Sequence, residues 1–118
     1  MFFHDDEAVD KFLFERDWPA FPHLSKLLKC VQFGGAVKID LWRVLVLYEY
    51  GGIFTDIDNT PNHLLNETTT EPTDEAFFLS DGGMRASHRF QVMAPKHPIA
   101  YLNMMEIHVD ERKLLILR

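Results

Sequence analysis

Cysteine is almost missing from this sequence. Cys30 is the only one, which excludes an internal disulfide and any cysteine-based zinc cluster and leaves the thiol to be read as a small buried hydrophobe. Positive charge is scarce as well. Lysine and arginine number 12 against 18 aspartates and glutamates, a formal charge of -6, which argues against a nucleic-acid partner because the overall field repels a phosphate backbone. An anionic nucleotide would need local help here, from a metal ion or a well-placed arginine. The histidines, His4, His23, His63, His88, His97 and His108, show no His-x-x-x-His or His-x-x-Glu-His spacing, which removes the usual zinc patterns. Long apolar runs are absent too. Ile39–Tyr48 is interrupted by Asp40 and Arg43 and is too short to cross a bilayer. Asp5, Asp6 and Glu7 stand where a signal peptide would have basic and then apolar residues, so the chain reads as soluble.

What is present is enough for one small domain: 118 residues, 47% hydrophobic and 13% aromatic, supply material for a core. Ala8, Val9, Phe12 and Leu13 at helical spacing predict an amphipathic helix over 5–16, with Asp5 and Asp6 suited to capping its start. Pro19 and Pro22 break the chain before a short helical piece over 24–31. From Ala36 to Tyr50 the residues are apolar nearly all round, the pattern of a helix buried against a sheet. Gly34, Gly35, Gly51 and Gly52 mark its two ends. Ile53, Phe54 and Thr55 read as a short strand running into Asp56–Thr60 and stopped by Pro61. A polar, threonine-rich loop follows over 62–74, then strands over 76–79 and 90–94 around an Asp81-Gly82-Gly83 turn. Pro95 and Pro98 bracket His97 before a helix over about 99–108. Alternating helices and strands predict an α/β layer architecture with a mainly parallel sheet. The apolar run Leu114–Leu117 at the end has no turn signal, and we expect the sequence to continue.

The chemistry concentrates in a few acidic and basic residues. Asp56 and Asp58 are two apart at a strand end, a spacing that puts both side chains on one face. Two close carboxylates repel when ionised, and a divalent cation relieves this. A bare Asp-x-Asp is nevertheless short, and a solvated turn explains it as well. Asp40 and Arg43 are three apart in an otherwise apolar helix, where they are neighbours on one face. They read either as an intrahelical ion pair or as ligand-facing groups, Arg43 on phosphate or sugar oxygens and Asp40 on sugar hydroxyls. Tyr50-Gly51-Gly52 reads as a helix stop, as backbone that must approach a ligand closely, or as both.

Taken together, the run from Lys38 to Asp58 resembles the sugar-binding region of glycosyltransferase family 32: an aspartate, two residues, an arginine, an apolar helix, Tyr-Gly-Gly, then Asp-x-Asp. That family includes α-1,6-mannosyltransferases and inositol phosphoceramide mannosyltransferases. His4-Asp5-Asp6 and Ala94-Pro95-Lys96-His97-Pro98 are also similar to segments of the family. The resemblance implies a nucleotide-diphospho-sugar transferase fold of the A type, Rossmann-like, here incomplete and with its mainly parallel sheet flanked by helices. It implies a retaining hexosyl transfer from GDP-mannose or a UDP-hexose to a glycan or glycolipid, with Mn²⁺ or Mg²⁺ as cofactor. Carried over, Asp40 and Arg43 contact the donor, Tyr50, Gly51 and Gly52 border it, Asp56 faces ribose and metal, and Asp58 ligates the metal. No nucleophile is assigned. Residues 1–118 then cover the middle of a catalytic domain, without the nucleotide-binding strand before Met1 or the segments after Arg118. A Golgi location comes from the resemblance alone, and Asn66-Glu67-Thr68 is a matching but unspecific glycosylation sequon. His97 is expected to have a structural role.

Two other readings compete. Asp56-Ile57-Asp58-Asn59-Thr60 also fits the Asp-x-Asp-x-Thr loop of haloacid-dehalogenase-like phosphatases, with Asp56 as nucleophile, Asp58 as acid and base, and Mg²⁺ as cofactor. That loop usually opens its domain, whereas here a helix and Tyr-Gly-Gly come first. A non-catalytic remnant that still binds sugar nucleotide is the third.

Overall fold

The computed structural model describes residues 4–31, 35–58, 71–80 and 86–105. Their order is α1 (Asp6–Phe14), α2 (Leu24–Val31), α3 (Ala36–Tyr50), β1 (Gly52–Thr55), β2 (Ala76–Ser80) and β3 (Ala86–Met93). Residues 98–105 are helical again. The chain divides into two compact units, Met1–Leu45 with Leu102–Arg118, and Val46–Tyr101.

In the first unit the expected helix start is present. Asp5 is the N-cap of α1, and its Oδ1 accepts the Ala8 N–H at 2.9 Å, which satisfies one of the donors that a helix start leaves open. The helix stops at Phe14, where the Trp18 indole donates to the Leu13 carbonyl at 3.2 Å. Arg16 then sits over both the Phe12 and Trp18 rings, at 5.0 and 5.2 Å. Val9 and Leu13 of α1, Leu24, Leu27 and Leu28 of α2, and Leu41, Val44 and Leu45 of α3 are buried. Lys38 is buried with them, and its Nζ donates to Asp10 Oδ1 at 2.8 Å, tying α3 to α1.

The second unit holds the sheet, and here the sequence-based expectation of a mainly parallel sheet is corrected. The strand order is β1-β3-β2, and both pairings are antiparallel. β1 and β2 therefore run the same way, but β3 lies between them. The physical reason is the length of the connections. Parallel neighbours need a crossover, usually helical, and the polar stretch after β1 has no helical periodicity in its sequence, whereas only five residues, two of them glycine, separate β2 from β3. β3 is also longer than expected. Its first half, Ala86-Ser87-His88-Arg89, is polar and gives no apolar alternation, yet it pairs: Ser80 faces Ala86, after an irregularity following Phe78. Gln91 and Met93 are buried on one face, while Phe77 and Phe90 meet edge to face on the other with centroids 6.2 Å apart.

Among the described residues no helix is long and apolar enough to cross a membrane. The side chain of Cys30, the sequon at Asn66, the Asp81-Gly82-Gly83 turn, Asn59 and Thr60 after the acidic pair, and the run Leu114–Leu117 lie outside the described residues.

Candidate functional site

The second unit builds the acidic end of β1 from the last turn of α3. At that turn Gly51 donates to the Leu47 carbonyl at 2.8 Å, and both glycines take positive φ angles, 64° at Gly51 and 102° at Gly52. Such angles are steep for any residue with a Cβ. The two positions differ in their surroundings. A Cβ on Gly51 would lie 2.6 Å from the Pro95 nitrogen and 2.8 Å from the Met93 carbonyl oxygen, whereas one on Gly52 would meet nothing within 4 Å. The close approach at Gly51 is thus made by the protein's own backbone, and Gly52 faces open space. Tyr50 beside them is exposed.

β1 then carries the chain outward, with Gly52 opposite Met93 and Thr55 opposite Phe90. Asp56 lies just past the strand, but its N–H still donates to the Arg89 carbonyl at 3.0 Å, and its carbonyl accepts the Thr55 hydroxyl at 3.3 Å. Asp56 is half-buried; Ile57 and Asp58 form an exposed turn. The premise that both aspartates extend one strand is therefore corrected: one is anchored at the strand end and the other lies in the turn that follows. Carboxylate oxygens in such a turn are hard ligands suited to Mn²⁺ or Mg²⁺, which bind through one or two carboxylates and take further oxygens from phosphate or water. Among the described residues no third His, Cys, Asp or Glu completes a metal-binding group, so a cation held here would fill its sphere in that way.

The segment that presses on Gly51 is only partly legible in the sequence. Lys96 is the one described non-glycine residue with a positive φ, 60°, a conformation that costs about 1–2 kcal/mol. Its N–H donates to the Tyr48 carbonyl at 2.6 Å, its Nζ pairs with the Glu49 carboxylate, and the ammonium lies 4.7 Å from the centre of the Tyr48 ring. A cation at a helix C-terminus and a cation over an aromatic ring each contribute about 0.5–1 kcal/mol, enough to offset that strain. The residue order Pro-Lys-His-Pro signals a turn but not the left-handed lysine. His97 has the expected structural role: its Nδ1 accepts the Ile99 N–H at 3.1 Å at the start of the helical residues 98–105.

Asp40 and Arg43 belong to the first unit. Arg43 Nη1 is 4.0 Å from Asp40 Oδ1, so the intrahelical pair forms, though loosely. The Asp40 side chain is 58% exposed and that of Arg43 14%. The desolvation argument for a ligand therefore falls away at Asp40, and at the largely buried Arg43 the charge has a partner within its own helix.

Comparison with known proteins bears on this arrangement. The family model described as the glycosyltransferase sugar-binding region containing a DXD motif matches residues 5–75, a span that runs from the N-cap of α1 through α2 and α3, the glycine pair, β1 and both aspartates. No curated protein and no solved structure matches the chain.

Proposed function

From a chain that belongs to the family of glycosyltransferase sugar-binding regions containing a DXD motif, we propose a metal-dependent, retaining hexosyltransferase in which Asp56 and Asp58 hold the cation and the diphosphate of a GDP- or UDP-sugar. The observation that carries this reading is the pair's setting: Asp56 pinned through its backbone N–H to Arg89 at the end of β1, and Asp58, two residues on, in the exposed turn. The backbone of one aspartate is anchored to the sheet, and the other aspartate is exposed where a hydrated cation could reach it. The cation would neutralise charge building on the leaving diphosphate. The chain's own residues do the rest. Asp56 orients the ribose. Tyr50 and Gly52, both exposed, border the donor, while Gly51 is already covered by Pro95. A glycan or glycolipid is the acceptor, GDP-mannose is the first donor to try, and a Golgi location goes with that chemistry. The phosphatase reading loses ground because the matched span includes the helix and glycine pair that such a loop lacks.

The test is calorimetric titration of GDP-mannose, UDP-galactose and UDP-glucose with Mn²⁺, alongside slow donor hydrolysis. Asp58→Ala is expected to weaken Mn²⁺-dependent affinity at least about tenfold, as loss of a metal ligand should. Unchanged affinity in that variant would remove the metal assignment. Phosphate release from p-nitrophenyl phosphate with Mg²⁺ would instead support the phosphatase, and binding without turnover the remnant.

A further inference from the structure

We propose that Lys96 is a positioning residue for the Asp-x-Asp turn: it caps the end of α3 from outside the helix and thereby sets where β1, and the aspartates that follow it, begin. The proposal deepens the metal-site reading and rests on it for its functional consequence, but its geometry stands independently.

A helix leaves its last carbonyls without partners inside the helix, and something must take them up. At α3 the Leu47 carbonyl accepts from Gly51, as a helix end with glycine normally arranges. The next one, at Tyr48, accepts from Lys96, a residue 48 positions further along the chain. The same lysine grips the same turn twice more, through Glu49 and through the face of Tyr48. Immediately before it, Pro95 and the Met93 carbonyl lie so close to Gly51 that no side chain fits there, and Met93 is the sheet partner of Gly52. Met93, Pro95 and Lys96 thus meet Gly52, Gly51, Glu49 and Tyr48 and confine the chain as it leaves the helix. Asp56 directly follows the four residues of β1, Gly52–Thr55, so a shift in the helix end is carried along β1 to the aspartates. Lys96 itself adopts a left-handed backbone that glycine would take more easily. A lysine at this place is explained by the grip of its side chain on α3.

The experiment compares wild type with Lys96→Met, which loses the charge and keeps the aliphatic stem, and Lys96→Arg, which restores the cation over Tyr48 and beside Glu49. Two readouts are taken on the full chain: Mn²⁺ affinity by isothermal titration, and amide hydrogen exchange resolved by residue. The expected result for Lys96→Met is about tenfold weaker Mn²⁺ binding, the size of loss seen when partners behind metal ligands are removed. Exchange should accelerate at Gly51–Asp58 and stay unchanged in α1. Lys96→Arg should recover both within about twofold. Wild-type affinity in Lys96→Met, or faster exchange spread evenly over the chain, would overturn the proposal and leave the lysine a general stabiliser. If wild type takes up no Mn²⁺, the metal reading fails, and the positioning proposal fails with it as far as function goes. The exchange pattern would then still decide whether Lys96 sets the end of α3.

Discussion

Gly51 and Gly52 stand side by side and look equivalent in the sequence, yet they answer to different forces. Gly52 needs its hydrogen only for its backbone angle, since nothing lies within 4 Å of where a Cβ would be. Gly51 needs it twice, for the angle and for the Pro95 nitrogen 2.6 Å from that position. Gly52→Ala is expected to destabilise by about 1–3 kcal/mol, the range for a side chain forced into such an angle. Gly51→Ala should cost about 1–3 kcal/mol more, because an overpacked contact against backbone cannot be relieved by turning a rotamer. Urea denaturation of the two variants checks the order. The same residue-scale view explains what the sequence revealed about the candidate ligands. Asp56 and Asp58 are visible as a motif because their spacing is local, whereas the role of Lys96 is not, because it depends on a partner 48 positions away.

The elements were largely legible. α1, α2 and α3 begin and end within two residues of where apolar spacing, Asp5 and the glycines place them, because these signals act within one or two turns. β3 is longer than its alternation predicts, since its first half carries none and pairing with Ser80 extends it nonetheless. Element packing also gives a charged pair its weight. Lys38 Nζ, with its side chain only 10% exposed, meets Asp10 at 2.8 Å across α1 and α3. Asp10→Ala leaves a buried ammonium facing no carboxylate there and is expected to cost about 1–3 kcal/mol, less than for a fully buried pair since Asp10 is half exposed. Removing both charges, in Asp10→Ala with Lys38→Met, should recover part of that loss. Thermal unfolding of the single and double variants measures the difference.

For the whole molecule, a formal charge of -6 sets the background for any anionic ligand. We expect sugar-nucleotide affinity to fall at least about tenfold when EDTA removes divalent cations, because the protein's own field then opposes the diphosphate. Titration of GDP-mannose with and without the chelator checks this, and equal affinity in the two conditions would mean that protein cations alone carry the phosphates. The sequence by itself determined the helices, the glycine stop, the acidic pair and, through their joint spacing over one stretch of chain, the family. Each of these is written in neighbouring residues, where periodicity and local chemistry act. Only the tertiary structure decided that β3 enters antiparallel between β1 and β2, that Asp56 is tied to Arg89 while Asp58 lies in the turn, and that Lys96 closes the end of α3. Those outcomes depend on which distant backbone groups meet, and hydrogen bonds between strands and across turns carry no trace in the local order of residues.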